Sequence, residues 1–413
     1  MKEAIRAVWR LIPASMRHKF WRWLNAASDR EAHRRLARFK PSMVTPHASA
    51  PLVVAGAFRS ASGIGAAARS TYHALRSAGL DPVAVDITKH FTRVDLDPCM
   101  TFSELPNGAQ GTLILHINAP EVPRALKYFR YMHARPWRVI GYWAWELPVF
   151  PKGWDTSLRL VSQLWTLSDY TARSLRGHER APEVLSFPVS ISAPPDVVPD
   201  RKRFGFADET FTVLTMADTH SSLTRKNPIG AIRAFRMAFG DRADRRLIVK
   251  TRNLDESSEA ETALRVAIGE APNITVLDGA LTEADKWALL ASVDALISLH
   301  RAEGFGMPLA EAMALGVPVV ATGWSGNMSF MTTENSLPVR YSLAEVTDPF
   351  GIYEGFGGEW AEPLEADAAE KLKVLADDAE LRRRIGAAAK ASVEVGLGHA
   401  AIGEAMARAL RAK

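Results

Sequence analysis

Apolar residues along the chain gather into two series of short, nearly continuous runs. The first series is PLVVAGAF, PVAVDI, GTLILHI, RVIGYWAW and SQLWTLS. The second is FTVLTMA, LIVKTR, ITVLDG, ALISLH and VPVVAT. Within each series the runs are separated by stretches of helical composition. Short apolar runs alternating with helices are what a parallel sheet covered on both faces requires, so the pattern predicts an α/β protein with two doubly wound domains. Residues 188–203, with four prolines and the polar VPDRKR, read as the connector between them. Pro41 to Pro51, with three prolines and two serines, reads as a linker ahead of the first. Upstream of it, Ile5, Val8, Trp9 and Ile12 recur at helical spacing, Pro13 breaks the run, and Met16, Phe20, Trp23 and Leu24 form a second stripe. A third helix is expected from Ser28, where Glu31 completes a capping box. The expected organisation is a helical leader over 1–45, domains over 48–195 and 204–397, and a C-terminal helix over 398–413.

Charge sharpens the picture of the leader. The 413 residues carry a formal net charge of +5. Residues 1–40 alone hold eleven Lys/Arg against Glu3, Asp29 and Glu31, a net of +8, which leaves the other 373 residues at −3 (+5 less +8). Basic amphipathic helices with tryptophan on the apolar side suit an anionic membrane surface, and packing on the enzyme or on a partner is the alternative. The slightly acidic remainder argues against nucleic acid. One cysteine, Cys99, excludes an internal disulfide, and no Cys/His cluster has zinc-site spacing. No apolar run reaches the ~18–20 residues that span a bilayer, so a cytoplasmic protein, peripheral on the inner membrane face, is expected.

The densest chemistry lies between Glu303 and Glu311, separated by Gly-Phe-Gly-Met-Pro-Leu-Ala and followed by Ala-Met-Ala-Leu-Gly-Val-Pro-Val-Val-Ala-Thr. This reads as a strand end, a glycine loop, a short helix opened by Pro308 and closed by Gly316, and another strand. A helix N-terminus beside the bare backbone of Gly304 and Gly306 suits phosphate, while flanking carboxylates suit hydroxyl groups. A ligand carrying both is a nucleotide sugar. Ordinary first-turn acids on a helix are the plainer reading.

From Asp294 to about Tyr341 the sequence DALISLHRAEGFGMPLAEAMALGVPVVATGWSGNMSFMTTENSLPVRY resembles the donor-binding half of the retaining glycosyltransferases of family 4, whose hallmark is this Glu-x7-Glu pair. The resemblance implies the GT-B architecture: two Rossmann-like domains facing across a cleft, with the last helix, about His399 to Arg411, crossing back to the first. It implies that Glu311 bonds the donor ribose, that Glu303 lies by the sugar ring, and that the backbone of Gly304, Phe305, Gly306 and Met307 reaches the sugar and diphosphate. In Leu223-Thr-Arg-Lys-Asn-Pro-Ile, Lys226 follows a strand and precedes a helix expected over 228–239, at the strand end where ligands bind in such sheets. By the same resemblance Lys226 holds the diphosphate, and Arg225 adds forked donors suited to phosphate. Many relatives carry Gly-Arg after the preceding strand where this chain reads Met216-Ala-Asp-Thr-His220, so Arg225 is a candidate to take that role.

Other motifs are weaker. Ser62-Gly-Ile-Gly65 resembles the glycine pair that relatives set against the donor phosphate, which nominates Gly63 and Gly65. It also resembles a dinucleotide fingerprint, but no tyrosine has Lys four residues on, which removes the dehydrogenase reading. Asp278-Gly279 occupies the place where relatives hold the base. Gly141-Tyr-Trp-Ala-Trp-Glu-Leu resembles an element of a bacterial branch and places Trp143, Trp145 and Glu146 on the acceptor side, with a plain core strand as the alternative. His116, ending LILHIN near Asn118, is a similar candidate. Asp95-Leu-Asp97 has a metal-binding form but sits in a loop before Pro98 and reads as a solvated turn. The expectation is therefore a metal-independent retaining glycosyltransferase that needs no cofactor. It would move a hexose from a nucleotide-diphosphate sugar to a glycan or lipid-linked acceptor in bacterial surface polysaccharide synthesis. The alternative is a non-catalytic nucleotide-sugar-binding subunit.

Overall fold

A computed structural model describes residues 31–412, except 33, 48–49, 93, 107–109, 130–136, 255–257 and 350–352. The leader stripes of residues 1–30 therefore lie outside the described residues. The chain forms two compact units: one holds the described residues up to Ile191 together with Val395 onward, the other Ser192–Glu394.

In the first unit six parallel strands run in the order β2-β1-β3-β4-β5-β6. They are β1 (Leu52–Gly56), β2 (Val83–Asp86), β3 (Thr112–His116), β4 (Arg138–Trp143), β5 (Gln163–Thr166) and β6 (Val184–Ser186). β1 and β3 pair with Gly56 opposite His116, where the strand order reverses. Helix α1 (Gly63–Ser77) follows β1 and is capped by the Ser62 hydroxyl, which accepts from the Gly65 amide at 3.4 Å. The helix at the chain end packs on it so closely that a Cβ on Gly403 would overlap the Ala74 carbonyl. Ile191 donates to the Leu397 carbonyl at 2.8 Å, tying the two ends of this unit together.

The second unit repeats the architecture in the order β12-β11-β10-β7-β8-β9. Its strands are β7 (Phe211–Asp218), β8 (Arg245–Arg252), β9 (Ile274–Leu277), β10 (Ala295–Ser298), β11 (Val319–Thr322) and β12 (Leu337–Val339). A short helix α2 (Leu223–Lys226) leads into α3 (Pro228–Phe239), and α4 (Glu283–Ala291) and α5 (Met307–Ala314) flank β10 in sequence. Asn227 takes a left-handed φ of 50° between α2 and α3; its side chain accepts from the Gly230 amide at 3.0 Å, so one residue ends one helix and starts the next. The core joins Ala231, Ile232 and Phe235 of α3 to Val213, Leu247 and Val249 of the sheet. Each of the larger side chains, Ile232, Phe235, Val213, Leu247 and Val249, contributes roughly 1.5–3 kcal/mol by leaving water.

The apolar runs mark most of these strands. They do not mark the antiparallel hairpin of β13 (Tyr341–Glu345) and β14 (Glu359–Pro363), whose outer residues are half exposed. Among the described residues no helix is long and apolar enough to cross a membrane.

Candidate functional site

The site is assembled at the carboxyl ends of β7 and β10. After β10 the chain runs through His300, Arg301 and Ala302 to Glu303, loops over Gly304-Phe305-Gly306, and enters α5 one residue ahead of Pro308. Gly306 caps the helix at a φ of 97°, a left-handed conformation that glycine adopts without cost, and it has no side chain to satisfy the first-turn amides. Phe305 is buried against Phe330 at 5.0 Å between ring centroids, which pins the loop from beneath. Met307 is half-buried at the helix start.

After β7, a turn through Ser222 brings α2 alongside. Ser222 has a φ of 66° and its hydroxyl accepts from the Arg225 amide at 3.1 Å, so the serine cap fixes the direction of the two cations that follow. Lys226 binds Oε1 of Glu303, and Nη1 of Arg225 lies 3.3 Å from Oε2 of the same carboxylate. Arg225 also donates to the carbonyls of Ala302 at 2.7 Å and Ser221 at 3.2 Å. Burial alone would push the Glu303 carboxyl up, but Lys226 and then Arg225 outweigh it and bring it to about 2. Glu303 is thus a permanent anion at neutral pH. Glu311, one helical turn inside α5, is equally buried, and its Oε1 lies 2.6 Å from the ammonium of Lys286 on α4.

Behind Glu303 stands a buried polar network that sequence reasoning missed. The Glu303 amide donates to Ser325 Oγ at 2.8 Å, and Gly326 donates to the Glu303 carbonyl at 2.8 Å. Asn327 donates through Nδ2 to the Thr322 carbonyl at 2.9 Å, which turns its Oδ1 toward His300 Nε2 at 3.0 Å. His300 must then carry its proton on Nε2, while Nδ1 accepts from the Ser298 hydroxyl at 3.1 Å. Burial pushes His300 below the usual histidine range, so the ring stays neutral beside Glu303. Arg301 reaches backward instead, gripping both oxygens of Glu362 at 2.7 and 2.8 Å and the Thr224 carbonyl at 2.6 Å, which ties β14 to the turn before Arg225. The dipeptide His-Arg before the glutamate was the available signal, and its meaning depends on partners as far as 77 positions away.

Asp278 is exposed at the end of β9, where its carboxylate accepts from Thr251 Oγ1 at 2.8 Å. Beneath it Lys250 is buried and donates to the carbonyls of Thr251, at 2.6 Å, and of Gly279. Arg225, Lys226, Glu303 to Met307 and Glu311 come together in this unit, with Asp278 at the end of the edge strand β9, two strands from β7.

Gly63, Gly65, His116, Trp143 and Glu146 belong to the first unit. Gly65 is required by packing: a Cβ there would stand 2.5 Å from the carbonyls of Ala57 and Ser60. Gly63 is the exposed first residue of α1. His116 is fully enclosed and stacked on Tyr142 at 4.2 Å; burial pulls it down to about 3, so it is neutral. Trp143 is likewise enclosed, edge-on to Trp154, and presents no face to a sugar. Trp145 is buried and donates to the Val149 carbonyl at 2.8 Å, which leaves Glu146 as the half-exposed member of this group. Asp95 accepts from the Ala61 amide at 2.6 Å and so braces the loop before α1.

Solved structures share this two-sheet arrangement. HepE (Alr3699) of Anabaena, crystallised with UDP and glucose, superposes with a TM-score of 0.60 at 15% identity, covering 87% of this chain and 99% of its own. A glycosyltransferase from Rickettsia africae gives 0.61 at 13% identity, covering 88% and 98%. TarM of S. aureus, in complex with fondaparinux, alpha-GlcNAc-glycerol and UDP, gives 0.53 at 12% identity and covers 74% of this chain. The chain spans 56% of the length of TarM. At these identities the likeness is one of fold, the GT-B arrangement. No curated protein sequence matches. The model of the family described as Family 4 Glycosyltransferase in conflict systems matches residues 166–396, more than half of the chain, and the protein belongs to that family.

Proposed function

We propose that this protein is a retaining, metal-independent glycosyltransferase that moves a hexose from a nucleotide-diphosphate sugar to a glycan or lipid-linked acceptor, with no cofactor. The observation that carries the reading is the convergence of Lys226 and Arg225 on Glu303 beside the uncapped start of α5, with Glu311 one turn further on. Lys226, Arg225 and the α5 N-terminus place positive potential where a diphosphate leaving group gathers negative charge. Glu303, held ionised, orients the sugar hydroxyls and eases positive charge developing at the ring. Glu311 accepts from the ribose, and the loop bearing Asp278 and Gly279 lies where a base would rest. Glu146 is the acceptor-side residue that remains accessible. A bacterial surface polysaccharide is the acceptor class to try first, and the basic leader is proposed to rest on an anionic cytoplasmic membrane surface. HepE and TarM were crystallised with UDP, which makes uridine diphosphate sugars the first donors to test.

A thermal-shift panel of nucleoside diphosphates and their sugars, with and without EDTA, tests the donor. A bound nucleotide raises the melting temperature by mass action. The product anomer, read by proton NMR, tests retention. No stabilisation by any nucleotide would remove the reading, and an inverted product or activity lost to EDTA would remove the corresponding part of it. Binding of every nucleotide sugar without turnover would favour the non-catalytic subunit instead.

A further inference from the structure

We infer that Lys286 is the residue that makes Glu311 a reader of ribose hydroxyls, and so a positioning residue for nucleotide selection. The inference rests on the proposed donor site and goes beyond it, because Lys286 lies outside the Glu-x7-Glu stretch. Thr282 caps α4 by accepting from the Asp285 amide at 3.1 Å, and Lys286 follows one turn later. Its ammonium meets Glu311 Oε1 at 2.6 Å and Glu283 Oε2 at 3.0 Å, with only 21% of its side chain exposed. Burial opposes the ammonium, yet the two carboxylates outweigh that penalty and hold it above the usual lysine range.

Two consequences follow for a ligand. A carboxylate anchored on one oxygen by a partly buried cation is restricted about its last torsion before the ligand arrives, and orientation set in advance is what lets a carboxylate discriminate hydroxyl groups. Glu311 also stands one turn inside the helix whose N-terminus would face a diphosphate, where an uncompensated acid would repel it. Lys286 cancels that charge at its source. Glu283, exposed at the start of α4, is a second and more solvated partner of the same ammonium.

Calorimetric titration separates the possibilities. Wild type, Lys286→Met, Lys286→Arg and Glu283→Gln would be titrated with uridine, guanosine and adenosine diphosphates and with their 2′,3′-dideoxy counterparts. Wild type should prefer the ribose form of its nucleotide by roughly tenfold or more, the scale of a hydrogen bond to a charged group. Lys286→Met should bind both forms with a ratio near one, whereas Lys286→Arg and Glu283→Gln should keep most of the preference. A Lys286→Met variant that retains the wild-type ratio, or weakens both forms equally, would overturn the inference while leaving the donor reading intact. A wild type that binds no nucleoside diphosphate, or ignores the ribose hydroxyls, would overturn both. Loss of preference in Lys286→Arg as well, with an unchanged melting curve, would also count against it, because the guanidinium keeps both the charge and a donor for the Glu311 oxygen.

Discussion

At Glu303 burial and charge act on one carboxyl in opposite directions, and two cations decide the outcome by holding it near 2. The same arrangement keeps Lys226 and Arg225 beside an acid until a more highly charged group arrives. A diphosphate offers more negative charge than a single carboxylate, so donor binding is expected to draw the Lys226 ammonium away from Glu303 and leave that acid facing the sugar. Lys226→Ala should therefore lower kcat by about a hundredfold or more, the scale of losing one transition-state donor, with a smaller effect on nucleotide affinity. An assay of released nucleotide, run beside calorimetry, checks both numbers. The positions of Glu303, Glu311, Lys226 and Arg225 were legible because their spacing around a glycine loop and a helix start has a local signature. Lys286, Ser325 and Asn327 were not, because each acquires meaning only through a partner brought near by folding. Lys286 looks like any lysine on the polar side of a short helix. His116 and Trp143 show the opposite limit: their residue types suggested sugar contacts, while both side chains are fully buried in the first unit.

The glycine loop before α5 and the segment after β11 form one element of structure. The backbone of Gly326 lies so close to Gly304 that a Cβ there would overlap the Gly304 carbonyl, and the Gly326 amide donates to the Glu303 carbonyl. Gly326→Ala should consequently push the two loops apart, costing about 1–3 kcal/mol as overpacking does and lowering the melting temperature by several degrees. Nucleotide affinity should fall with it, because the displaced backbone carries Glu303. Thermal denaturation and nucleotide titration of the variant would check this, and wild-type behaviour in both would show that the close approach is not needed. At this scale the sequence predicted well where burial is two-sided. The apolar runs placed the inner strands of both sheets, and the Asn-Pro and Gly-x-Pro sequences placed the starts of α3 and α5 within a residue. Prediction failed at the brief strands β6 and β12 and at the β13–β14 hairpin, while the half-exposed β9 was marked by its apolar run. Leu337–Val339 is too brief to stand out, and the β13–β14 hairpin mixes charged and apolar residues, with β13 exposed on both faces.

Across the molecule the response to acid should come in two stages. Below about pH 6.5 an unfolded chain protonates its histidines, whereas folded His116 stays neutral down to about 3 because burial opposes its charge. His73, His399 and His300 are shifted in the same direction, in each case by burial first, with His73 and His399 only 5.9 Å apart between rings. The unfolded state therefore binds more protons than the folded one, and stability should fall as pH drops from 6.5. One such group contributes a slope of at most about 1.4 kcal/mol per pH unit. Glu303 enters later. Its folded value lies below the unfolded value, so its contribution is complete above about 4.5 and disappears as pH falls toward 2. His116, His73 and His399 belong to the first unit, whereas His300 and Glu303 belong to the second. His116→Phe, which keeps an aromatic ring against Tyr142 and removes the titrating nitrogens, should reduce the loss between pH 6.5 and about 3 by one group's share, a window that overlaps the start of the Glu303 stage. Glu303→Gln should remove the part of the lower stage that belongs to the carboxylate and leave the upper one at least as steep, because it also removes a charge that favours protonation of His300. Chemical denaturation at half-unit pH intervals would reveal both limbs. A His116→Phe curve parallel to wild type above pH 4.5 would mean that this ring is protonated in the folded protein, and that its stacking on Tyr142 is the contact of a cation with an aromatic face.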